Sequence, residues 1–87
     1  MTDIADVLRQ ALELDRSADW DGAHRIVQEI ESTASYSIHA YLHRKEGDLG
    51  NAQYWYRRAG KTMPEYGLAQ EWNLLYEQIT SRDEDRT

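Results

Sequence analysis

Residues 36–64 read YSIHAYLHRKEGDLGNAQYWYRRAGKTMP, and this stretch decides the fold. Ile38, Tyr41 and Leu42 recur at helical spacing after Ser35, a candidate N-cap. Glu46-Gly47-Asp48 ends that helix and starts another, because glycine suits a left-handed C-terminal cap and aspartate suits an N-cap. Leu49, Ala52, Tyr56 and Ala59 then share one face, Gly60 supplies a second left-handed cap, and Pro64 forbids continuation. The spacing predicts two antiparallel helices joined by a tight turn.

Working outward, Ile4, Val7, Leu8, Ala11 and Leu12 form an apolar stripe after a Thr2 or Asp3 cap. Ser17-Ala18-Asp19 connects this first helix to a second, capped by Asp19, whose inner face carries Trp20, Ala23, Val27 and Ile30 and which ends near Ser32. Ser32 to Ser35 leads into the central hairpin. Beyond Pro64, Glu65-Tyr66-Gly67 starts a fifth helix bearing Leu68, Trp72, Leu75, Tyr76 and Ile79, with Glu71, Asn73 and Glu77 expected on its outer side. No strand pattern competes. The expected fold is all-α, about five helices in antiparallel hairpins, as one domain over 1–80 with a charged, frayed tail over 81–87.

Gly47-Asp48-Leu49, Ala52, Tyr56, Ala59 and Pro64, with Tyr36 as an opening aromatic, resemble the second half of a tetratricopeptide repeat. The first half departs from that pattern, with His39-Ala40 in place of Leu-Gly and His43 in place of tyrosine. Asp19-Trp20 and Ala23, followed by Val27 and Ile30, echo the motif as a weaker and shorter copy. HAYLHRKEGD followed by NAQYWYRRA also looks like a small uncharacterised helical family, which brings no activity with it. The tetratricopeptide resemblance implies stacked helical hairpins, closed by the fifth helix as a cap, and a protein partner. In that family the first helix of each repeat lines a concave groove, which here would present Tyr41, Arg44 and Lys45. The lysine-and-asparagine clamp with which some members hold peptide C-termini is not recognisable.

Eighty-seven residues allow one small core, and a chain of this length buries only ~60–65% of its unfolded surface. There is no phenylalanine, so aromatic volume comes from three tryptophans and six tyrosines. Trp20, Trp55 and Trp72 sit on apolar faces and read as core. The absence of cysteine excludes disulfides, thiolate metal sites and cysteine nucleophiles. The acidic amphipathic start and the lack of any apolar run near ~20 residues point to a soluble cytoplasmic protein without a membrane span. The net charge of −6 disfavours general nucleic-acid binding, although residues 36–64 carry five bases against two acids.

Two constellations could carry chemistry. His39 and His43 lie four apart on one helical face, and Glu46 continues that face. With His24 from the neighbouring helix, three imidazoles could hold zinc and leave one position open, as in a hydrolytic centre. The competing and preferred reading is that these histidines pack between helices, His39 and His43 buried against tyrosine or carboxylate groups, with no cofactor. The second constellation is Asn51, Tyr54, Arg58 and Lys61 on the outer side of the fourth helix, flanked by Arg57. Arginine beside tyrosine can grip a carboxylate or phosphate, stack on a planar ligand or dock an acidic protein segment, and the bland alternative is a solvated face. There is no phosphate-binding glycine loop, no serine nucleophile motif and no carboxylate pair in an apolar setting. The leading expectation is a helical-repeat interaction module that binds a protein or associates with itself; the alternative is a metal-binding protein or small enzyme centred on His24, His39 and His43.

Overall fold

Four helices open on a side-chain oxygen that captures a free backbone N–H, as helix N-termini require. In the computed structural model, which describes residues 3–84, with side chains through residue 80, the helices are α1 (Ile4–Arg16), α2 (Trp20–Val27), α3 (Thr33–Glu46), α4 (Leu49–Arg58) and α5 (Leu68–Glu84). Asp3 accepts from Ala5 N, Asp19 from Gly22 N, Ser32 from Ser35 N and Asp48 from Asn51 N. The expected all-α architecture of five helices is therefore present, and the described residues contain no strand. None of their helices is long and apolar enough to cross a membrane.

Some boundaries differ from the sequence expectation. The cap of α3 is Ser32; Ser35 is instead fully buried, and its Oγ donates to Val27 O at 2.9 Å. Helix α2 stops at Val27, well before Ser32, and α5 continues through Glu84, past the expected boundary at residue 80. Of the predicted tail, residues 85–87 lie outside the described residues. The α3–α4 turn matches: Gly47 has φ +90°, a left-handed conformation that glycine adopts without steric cost. Ala18, in the first turn, adopts φ +69° despite its Cβ.

Helices α1 and α2 pack as one pair and α3 and α4 as another, with α3 against α2 and α5 laid across both α1 and α3. The main core joins Leu8, Leu12, Val27, Ile38, Leu42 and Leu75, each worth about 1.5–3 kcal/mol on full burial. Ala40 and Ala52 are wholly buried with Tyr56 in a second cluster, where small side chains let α3 and α4 approach closely. Leu49, in the first turn of α4, is 52% exposed rather than internal.

Two buried carboxylates cross-link the layers. Asp15 accepts the Tyr41 hydroxyl at 2.8 Å and the Lys45 ammonium at 2.9 Å. Glu71 accepts the Tyr56 hydroxyl at 2.5 Å and Arg44 Nη1 at 2.8 Å, while Arg44 Nη2 donates to Tyr66 O. Burial first, then the hydrogen bond to a carboxylate, pushes both phenols above their ordinary range. These contacts correct the expectation for Glu71 and give Tyr41 an internal partner. Glu71 is not an outer residue but is 4% exposed on the inner face of α5, and Tyr41, which borders a surface pocket with Lys45, Leu68 and Trp72, is 3% exposed with its hydroxyl on Asp15. Arg44 and Lys45 are likewise committed to internal ion pairs.

Candidate metal centre

Helix α2 is pinned across α3 at both ends, and the pins decide where His24 sits. At one end Trp20 Nε1 donates to Leu42 O at 2.8 Å; at the other Ser35 Oγ donates to Val27 O. Between them, one turn beyond Trp20, His24 is carried over the face of α3 that bears His39 and His43. One potential ligand atom from each of the three histidines lies within 4.8 Å of those of the other two. The structure thus brings together all three histidines singled out in the sequence.

The closest approach is His24 Nε2 to His39 Nε2, 3.1 Å. Two imidazole nitrogens bound at ~2.0–2.1 Å to a tetrahedral zinc lie about 3.3 Å apart, so this spacing needs little change to accept an ion. His43 uses Nδ1 to contact Glu46 Oε1 at 2.5 Å, which leaves its Nε2 as the free nitrogen. A carboxylate behind a ligating imidazole is the usual device for fixing its tautomer and raising its basicity. Trp20 stacks on His24 with ring centroids 4.8 Å apart, and Trp55 stacks on His39 at 3.9 Å. These two indoles flank the cluster and are only half-buried, so of the three tryptophans Trp72 alone is fully interior, donating Nε1 to Leu12 O.

The expectation of tyrosine or carboxylate partners holds for His43 and fails for His39. His39 is 4% exposed and His43 6%, as expected, yet Nδ1 of His39 is buried with no hydrogen-bond partner among the described residues. Such an atom costs ~1–3 kcal/mol, and it is the ring nitrogen opposite the one that meets His24. Burial first, then the nearby His24, His43 and Arg58, pushes His39 down to about 4. Burial and then His43 also lower His24, against the opposing pull of Glu46 and Asp21. Both rings are thus neutral at pH 7, the form that binds a metal ion.

A pH dependence follows for the ion-free protein. Because the folded His39 titrates below the ordinary value of 6.5, the unfolded chain takes up a proton first as pH falls, and the fold loses stability between 6.5 and about 4. After allowance for solvent screening the loss is on the order of 1–2 kcal/mol. Urea titrations at pH 7 and pH 4.5 check it: His39→Phe should show a smaller difference than the parent, and an equal difference contradicts the assignment.

The second constellation lies on α4 and the turn that follows it, beside this centre. Asn51, Tyr54, Arg57, Arg58 and Lys61 are all exposed, as expected of an outer face. Arg58 lies over the rings of Tyr36, Trp55 and Tyr54 at 4.6, 5.0 and 5.9 Å. The buried acids Asp15 and Glu71 are the site-like residues missed in the sequence, although each continues an apolar stripe: Leu8, Leu12, Asp15 and Leu68, Glu71, Leu75. Compared with known proteins, the chain matches no family model, no curated protein and no solved structure.

Proposed function

We propose that this chain is a small metal-binding protein whose three-histidine centre, His24, His39 and His43, holds zinc. The convergence of three imidazoles from two helices carries the reading, because neither helix alone assembles more than two ligands. Three neutral ligands leave the ion its full charge and a fourth tetrahedral position, the composition suited to activating water for hydrolysis. His24, which would supply one of the three ligands, is only half-buried. Equilibrium dialysis with elemental analysis tests the proposal. One zinc per chain is expected for the parent, and His39→Ala, His43→Ala and His24→Ala should each lose it. Absence of saturable zinc binding in the parent rejects the reading.

A second reading, a tetratricopeptide-like module that docks an acidic protein segment, draws on the charge of α4 and the turn after it. Arg57 and Lys61 are exposed and have no ion-pair partner among the described residues, on a chain that is acidic elsewhere. The same basic face suits the acidic ends of a second copy. An acidic peptide, followed by fluorescence anisotropy at low salt, should bind the parent and lose about tenfold in affinity in the Arg57→Glu, Lys61→Glu double variant. Equal affinity removes this reading.

A further inference from the structure

Arg58 is an exposed guanidinium that the fold holds in place without a counter-ion. Among the described residues no carboxylate lies within ion-pairing distance of it. Instead it rests over Tyr36, Tyr54 and Trp55, while Nη2 donates to the Tyr36 hydroxyl at 3.2 Å and Nη1 to the Tyr54 hydroxyl at 3.4 Å. Guanidinium has five N–H donors, so at least three remain after these two weak bonds. An arginine held in one pose, with donors in a planar fork, is already organised for a bidentate oxyanion, and less side-chain freedom is lost when that anion binds.

Its location ties it to the histidines. Trp55 touches both groups, stacking on His39 and lying under Arg58. Tyr36, His39, His43 and Glu46 follow one another along the same face of α3 at steps of three and four. At ~1.5 Å per residue, Tyr36 lies about 4.5 Å along the helix from His39 and about 15 Å from Glu46. Arg58, bonded to Tyr36, therefore stands at the end of this row of side chains away from Glu46. From Arg58 to Glu46 the row runs from positive, through the imidazoles, to negative.

We infer that Arg58 is the oxyanion-binding residue of the three-histidine site, which takes a small anionic substrate whose phosphate or carboxylate group sits on Arg58 a few bonds from the atom presented to the histidines. The inference rests on the proposed centre for the role of the histidines, and on the unpaired, aromatic-held guanidinium for the charge of the ligand. Phosphate and carboxylate share the oxyanion chemistry, and separate titrations distinguish them.

The experiment is isothermal titration calorimetry of inorganic phosphate and, separately, succinate into the full chain, zinc-free and zinc-loaded. At least one anion is expected to saturate, with tighter binding in the zinc-loaded protein. Arg58→Gln, checked for an unchanged circular dichroism spectrum, should weaken it at least tenfold, and Arg16→Gln, on the exposed side of α1, should leave it within twofold. No saturable binding of either anion, or an affinity unchanged by Arg58→Gln, overturns the inference. Equal affinities with and without zinc overturn the link between Arg58 and the histidines. Failure of the chain to take up zinc removes the metal reading itself, while Arg58-dependent binding to the zinc-free chain would then mark a separate anion site.

Discussion

Glu71→Ala is expected to destabilise the fold by about 3–5 kcal/mol, the cost of removing one partner from a buried, hydrogen-bonded charge pair. The Glu71 and Arg44 side chains are 5% and 16% exposed, so neither is well hydrated. Truncation strands the Arg44 charge and leaves the buried Tyr56 hydroxyl without its acceptor. It also releases α5 from the α3–α4 pair, since Arg44 belongs to α3 and Tyr56 to α4. Against a total stability of roughly 5–15 kcal/mol, such a loss leaves a chain of this size barely folded. Glu71→Gln keeps an acceptor for Tyr56 and the side-chain shape, and should cost about 1–3 kcal/mol. Urea denaturation followed by circular dichroism separates the variants, and a loss under about 1 kcal/mol for Glu71→Ala would falsify the assigned role of this network.

Zinc should raise the stability of the parent protein by about 4 kcal/mol when free ion stands a thousandfold above its Kd, through preferential binding to the folded state. For a domain of this size the midpoint of thermal unfolding then rises by more than about 15 °C. His39→Ala should remove the response. Glu46→Gln should retain it at a higher ion concentration, because loss of a carboxylate behind a ligating histidine typically weakens metal binding about 10–100-fold. A response in the parent that persists in His39→Ala would place the ion elsewhere, for example on His43, Glu46 and Asp48, whose ligand atoms also lie within 4.8 Å of one another.

Much of this architecture was legible in the sequence because helical periodicity and capping chemistry act over a few residues. Asp19, Asp48 and Gly47 mark their helix ends by local hydrogen bonding and backbone sterics, without help from the rest of the chain. Ser32 and Ser35 show the limit of such reasoning. Both are competent caps in the same turn, and the choice fell to Ser32 because Ser35 is drawn inward to Val27 O.

The sequence by itself also determined that His39, His43 and Glu46 share a face, a consequence of 3.6 residues per turn. Only the tertiary structure decided that His24 joins them, because its position depends on the pins at Trp20 and Ser35. The same holds for the acids. Asp15 and Glu71 each occupy a buried helical stripe, but a charge there reads as an outer residue until its partners appear, and those partners lie 26–30 and 15–27 residues away. Tyr41, Arg44 and Lys45, expected at a groove, serve these acids, while Arg58 keeps its charge unpaired beside the histidines. Periodicity assigns a residue to a side of its own helix, and packing between helices decides which charges meet there, since burial of a charge is tolerated only where the fold supplies its counterpart.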